Sequence, residues 1–247
     1  MRGVKQCEEG SSATLHCQPV MRSGRRPISN RIHRGCPGMS ALNFYLQQDL
    51  LAVATDTLAL AGDTHLPSHF QAKMFPVLHL NGVICGTGIS QLIVQWYVTA
   101  ATAMLARSIP HLDQFTPDGL RRLAAATLPP LGSTSTIYHF GYDDDQARFR
   151  GFAYRSERNF ESEELGYGFG MKPPVEFAPS SNILEDFISL VSVQRESDLA
   201  RPLQERLGIG GEVHVLLLQP GHIAMTRCHR FADFEALYDD MCTRLLC

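Results

Sequence analysis

Three side chains and a small-residue turn are spaced along this chain in a way that could carry out acyl chemistry. Ser40 supplies a hydroxyl. Asp56 follows sixteen residues later, Lys73 seventeen after that, and Gly86-Thr87-Gly88 comes next. A serine hydroxyl is a weak nucleophile at its free pKa and needs a base beside it. The α-amino group of a chain, with a pKa of about 7.7–8, lies close to neutrality. It can take the hydroxyl proton directly or through a water, provided that no residue precedes the nucleophile. A buried lysine nearby would favour the free amine and the developing alkoxide by charge proximity. A carboxylate would hold that lysine in place. Backbone N–H groups of a glycine-rich turn would stabilise the tetrahedral oxyanion, an effect of about 3 kcal/mol per donor.

Such a site needs strands to hold Ser40 and Asp56 side by side. Ala41–Gln47 and Leu50–Thr55 are apolar, β-rich runs separated by Gln48-Asp49, a hairpin pattern. Thr57–Ala61 continues the second run until Gly62-Asp63 breaks it. Phe75–Leu80 and Val83–Cys85 read as a further pair turning at Asn81-Gly82. A helix follows, with Ile89, Leu92, Ile93, Trp96, Ala100, Ala103 and Met104 at helical spacing. Thr116-Pro117 opens a second helix, stopped by Pro129-Pro130. Ser135–Tyr142, Phe149–Arg155 and Glu164–Phe169 read as strands. Asn182–Leu207 reads as mostly helical with a kink or restart at Pro202. Val213–Leu218 and Ile223–Arg227 form a hairpin, and Phe231–Met241 a last helix. Antiparallel strand clusters alternating with helices suit an α+β fold of two stacked sheets flanked by helical layers.

These motifs, in this order, resemble the proteasome β-type family and its HslV-type relatives among the N-terminal-nucleophile hydrolases. In that family the nucleophile is the first residue of the mature chain, and an Asp-Ser/Thr pair closes the second strand, here Asp56-Thr57. A lysine opens the next strand, here in Gln71–Pro76, and a Gly-x-Gly loop precedes the first long helix, here Gly86-Thr87-Gly88. Gly141-Tyr142-Asp143, Gly168-Phe169-Gly170 and Gly210-Gly211 match further family elements, so the resemblance covers roughly residues 40–240. It implies a four-layer αββα sandwich and hydrolysis of peptide or other amide bonds. Ser40, Asp56, Lys73 and Gly88 would be the catalytic residues, with no cofactor and no metal. It also implies a homo-oligomer of ring type and leaves an ATPase partner open. Phe169, Arg206 and Ile209 stand where the family places the polar groups that order the terminal amine. Those departures support the opposing reading of a catalytically inactive proteasome-like subunit that serves assembly or binding. The substrate pocket is expected around Thr57–Gly62 and Val83–Thr87.

The bulk composition fits this picture. Of the 247 residues 44% are hydrophobic and 19% charged, ordinary values for a globular protein. The net charge of -3 calls for neither nucleic acid nor an anionic membrane surface. The longest apolar stretch, Ile89–Ala106, is broken by polar residues and reads as a buried helix rather than a membrane span. Residues 1–38 differ from the rest: six Arg and one Lys face two Glu, and no apolar period appears. They are expected to be a disordered extension, a propeptide, or sequence upstream of a true start at Met39. The domain itself is expected to span 40–247. Seven cysteines without paired or metal-finger spacing point to reduced thiols and a cytoplasmic protein. His65 and His69 are four apart, but Pro67 between them argues against a shared helix face, so no metal site is expected there.

Overall fold

The computed structural model describes residues 40–61, 64–127, 134–180 and 182–246. Residues 1–38, Met39, the Gly62-Asp63 break and the Pro129-Pro130 stop lie outside them. The described residues form a mixed α/β fold of three antiparallel sheets and five α-helices.

The opening hairpin joins β1 (Leu42–Leu46) to β2 (Leu51–Asp56), with Leu42 opposite Thr55 and Leu46 opposite Leu51. A small two-stranded sheet follows, β3 (Leu58–Leu60) with β4 (Pro67–Phe70). Then come β5 (Met74–Val77) and β6 (Gly82–Thr87). The strand expected to run to Leu80 ends at Val77, and Leu78–Leu80 forms one 3₁₀ turn closed by Asn81 in the left-handed region, φ 42°. Asparagine tolerates that conformation better than most residues, so the hairpin forms, but its loop is Leu78–Asn81 and not Asn81-Gly82: Gly82 already belongs to β6, opposite Val77.

Helix α1 (Ser90–Thr102), a short α2 (Ile109–Asp113) that no periodicity announced, and α3 (Thr116–Thr127) complete the first helical group. They are followed by β7 (Thr136–Asp143), β8 (Arg148–Arg155), β9 (Ser162–Glu164) and β10 (Gly168–Lys172). The expected strand Glu164–Phe169 is thus two strands. β9 pairs with β8, whereas β10 pairs with β1 in another sheet. Helix α4 (Ile183–Leu199) stops eight residues before the expected end, and Leu203–Glu205 is a separate 3₁₀ turn after Pro202. Strands β11 (Glu212–Gln219) and β12 (His222–Arg230) and helix α5 (Phe234–Leu246) close the chain. The two large sheets run β10-β1-β2-β11-β12 and β5-β6-β7-β8-β9.

Period-two alternation along the strands sorts their side chains into separate cores. Leu42, Phe44, Leu51 and Val53 share a buried cluster with Val83, Cys85, Tyr138, Phe140 and Phe149 of the other large sheet. The intervening Ala41, Ala52 and Ala54 face the opposite way and pack with Phe187 and Val191 of α4. On the second sheet, Ile84, Ile137, Phe152 and Tyr154 pack against Leu92, Ile93 and Trp96 of α1, Ile109 and Leu112 of α2, and Leu120 of α3. A Cβ on Gly119 would sit 2.5 Å from the Trp96 ring, so α3 can approach α1 this closely only at a glycine.

One polar pair is sealed inside the helix-facing core. Trp96 Nε1 donates to Nε2 of His139 at 2.7 Å, and His139 has no exposed surface. Burial pushes the imidazole down from 6.5 to about 3. The unfolded chain therefore takes up a proton as pH drops through about 6.5, while the folded chain does not until about pH 3. Stability contributed by neutral His139 is present above pH 6.5 and is lost as the solution is acidified. From this residue the loss between pH 7.5 and 4.5 is about 2–3 kcal/mol. Urea unfolding at the two pH values measures it. His139→Gln, which keeps an acceptor for Trp96 but cannot titrate, is expected to reduce the fall by about that amount; an unchanged fall contradicts the assignment.

Candidate functional site

The site is organised by a carboxylate at the end of β2. Asp56 has no exposed surface and accepts four hydrogen bonds. Its Oδ1 receives Ala41 N at 3.0 Å and Lys73 Nζ at 2.8 Å; its Oδ2 receives Leu58 N at 3.2 Å and Gly210 N at 3.0 Å. Lys73, only 6% exposed, also donates to Leu58 O at 2.6 Å. Burial pushes the carboxyl above and the ammonium below their ordinary values, and the contact between them opposes both shifts. Every neighbour of Asp56 is a donor, so a proton added to it would meet no acceptor. That geometry keeps the pair ionised.

The local chain path explains how Lys73 returns to Asp56. The backbone turns at Asp56-Thr57, leaves along β3 and comes back along β4. Gln71 N then bonds Thr57 O at 2.8 Å, and Lys73 arrives two residues later, beside β2. Thr57 braces the other side of the corner: its Oγ1 accepts from Glu212 N at 2.9 Å, and its N–H reaches Gly210 O at 3.2 Å. β4 was not foreseen from the sequence, yet it is the element that delivers the lysine.

Ser40 lies immediately before β1 and is 7% exposed. The next residue, Ala41, shares Oδ1 of Asp56 with Lys73, so Ser40 and Lys73 approach the same carboxylate. Ser40, Lys73 and Gly88 line one cleft together with Gly86, Gln71, Ala72, Phe75, Ser90, Ile93 and Val94. The cleft is thus bounded by the start of β1, the segment entering β5, and the β6–α1 junction. Gly88 has φ +104°, and a Cβ there would lie 2.2 Å from the carbonyl oxygen of Thr134, so no other residue fits the turn. Ile89 N donates to Ser135 Oγ at 3.0 Å, which fixes the first turn of α1. Lys73 carries three donor protons. Two go to Asp56 and Leu58, and the third finds no protein acceptor among the described residues.

The expected pocket is corrected in part. Of Val83–Thr87 Gly86 alone lines the cleft, with Gly88 just beyond it, and the described part of Thr57–Gly62 does not line it; its residues hold Asp56 and Lys73 from behind. The wall on that side comes from Gln71, Ala72 and Phe75, and Gln71 Nε2 donates to Ser90 Oγ across the cleft at 2.7 Å.

The three departing positions lie in packing, outside the cleft lining. Phe169 packs against Tyr45 at a tilt, ring centroids 4.5 Å apart, and meets Phe187 edge-on. Ile209 is 3% exposed in the α4-facing core. Arg206 donates to Leu199 O and Arg201 O at the end of α4. Asp143, the last residue of β7, pairs with Arg150 at 3.3 Å.

No family model matches the chain, and no curated protein matches it. Among solved structures, a Gly-1 mutant of Anbu from Hyphomicrobium sp. strain MC1 is similar, with a TM-score of 0.57 and 16% identity. The match covers 85% of this chain and 95% of that one. The likeness shows a proteasome-like fold.

Removing one partner of a buried ion pair strands the other. Asp56→Ala would leave Lys73 without its counter-ion and orphan the N–H groups of Ala41 and Gly210, so it is expected to cost about 3–5 kcal/mol in urea unfolding. A loss below about 1 kcal/mol would show that Asp56 does not hold this corner.

Proposed function

We propose that the chain is a proteasome-like N-terminal-nucleophile amidohydrolase whose nucleophile is Ser40 once its amine is free. The observation that carries this reading is the convergence of Ser40, Lys73 and Gly88 on one cleft, with Lys73 anchored on the carboxylate that also clamps Ala41. Residues 40–247 form the domain, as a four-layer αββα sandwich, and residues 1–39 are removed or never translated.

The chemistry then runs in balanced steps. The free amine of Ser40 takes the Oγ proton, directly or through a water, while Lys73 stabilises the developing alkoxide. Oγ attacks the amide carbonyl, and the oxyanion is met by the N–H of Gly88. The amine returns the proton to the leaving nitrogen as the C–N bond breaks, leaving an ester on Ser40. Water, deprotonated by the same amine, hydrolyses the ester and restores the hydroxyl. Peptides or other amides are the substrate class, and a ring of copies and a cytoplasmic location belong to the same reading.

Phe169, Arg206 and Ile209 favour a second reading, a proteasome-like subunit without activity. All three are spent on packing or helix capping, where relatives in the resembling family would offer polar groups to the amine.

A β-lactone or epoxyketone probe separates the two. Protein beginning at Ser40 is expected to gain the mass of one probe molecule, and Lys73→Ala is expected to slow labelling at least about a hundredfold. Absence of labelling in folded protein with a free Ser40 amine would overturn the enzyme reading in favour of the inactive subunit.

A further inference from the structure

Asp198 stands in the last turn of α4, the end of a helix whose macrodipole disfavours a carboxylate. It is 2% exposed. A buried acid in that position needs strong partners, and it has three. Oδ1 accepts from Leu207 N at 2.7 Å; Oδ2 accepts from Gly208 N at 3.0 Å and Ile209 N at 3.3 Å. The next residue is Gly210, whose N–H lies on Oδ2 of Asp56 and whose carbonyl receives Thr57 N and Leu58 N. Gly208 and Gly211, on either side, have φ of +75° and +79°, and a Cβ on either would collide with Leu60 or Thr57. The segment 207–211 is therefore a shaped strap, gripped at one end by Asp198 and at the other by the Asp56 corner.

We propose that Asp198 is a positioning residue for the site: through the strap it sets Gly210 on Asp56 and so fixes where Lys73 meets Ser40. The role rests on the catalytic reading for its effect on rate, but the mechanical coupling does not. It also accounts for how the strap tolerates Arg206 and Ile209. The anchor comes from the helix, so the strap needs no polar side chains of its own.

The test compares Asp198→Ala and the milder Asp198→Asn with Asn182→Ala in the full domain. Asn182 caps the other end of α4 through Leu184 N and Glu185 N and touches neither strap nor cleft, so it controls for general loosening of the helix. Amide hydrogen exchange at Gly210 and Leu58 reads the coupling without any activity. Labelling by a β-lactone reads its consequence as a maximal rate and a half-saturating concentration. The Asp198 variants are expected to speed exchange at both amides at least tenfold. They are also expected to lower the maximal labelling rate ten- to hundredfold, with half-saturation within twofold; Asn182→Ala does neither. Exchange at Gly210 and Leu58 no faster than in Asn182→Ala overturns the proposal. If the unaltered protein is not labelled while exchange responds as stated, the catalytic reading falls and the positioning role stands.

Discussion

A single buried carboxylate ties together four stretches of this chain that are far apart in sequence. Asp56 receives the backbone of residue 41, the backbone of residue 58, the ammonium of Lys73 and the backbone of residue 210. An unpaired charge at such depth would cost several kcal/mol, so all four donors must be present together, and a chain that satisfies Asp56 has already brought β1, β3, the entry to β5 and the strap before β11 to one point. The cleft follows from that constraint. Ser40 is the residue before the first donor, and Lys73 is the third.

The rest of the fold supports this point from two directions. Alternation along β1 and β2 turns Leu42, Phe44, Leu46, Leu51 and Val53 toward the other large sheet, while Ala41, Ala52 and Ala54 face α4 and let the helix come close to the strand that ends at Asp56. On the other side, the β6–α1 junction is pinned by the steric need for glycine at 88 and by the Ser135 bond to Ile89 N. The cleft therefore lies between parts with little freedom to shift. That rigidity suits the proposed roles of Ser40 and Gly88, which need their atoms held in register.

Much of this was legible in the sequence. Asp56, Lys73 and Gly86–Gly88 could be picked out because their order and spacing match the family pattern, and the hairpins at Gln48-Asp49 and Asn81-Gly82 carried their own local signals. What escaped depends on contacts that only the folded chain makes. The run Glu164–Phe169 shows no break in apolar pattern, yet the chain changes sheets within it: β9 pairs with β8 and β10 with β1. The end of α4 was misplaced because Arg201–Leu207 keeps a helix-like composition. The stop comes from Pro202 and from Asp198 capturing the amides beyond it. β4 has no motif at all, and nothing in the sequence marks Asp198 as the anchor of the strap or Gln71, Phe75 and Ile93 as cleft wall. The meaning of Phe169, Arg206 and Ile209 was half visible: their types were unsuited to ordering an amine, but only the structure shows the packing and capping that occupy them.

The central claim is that Ser40 acts with its own amine, and the mature N-terminus tests that most directly. The protein would be produced untagged with every upstream residue encoded, then examined by intact mass and N-terminal sequencing. The account predicts a chain that begins at Ser40, with hydroxyl and amine both free beside Lys73. A folded chain that retains residues before Ser40 would have that amine locked in a peptide bond and would contradict it.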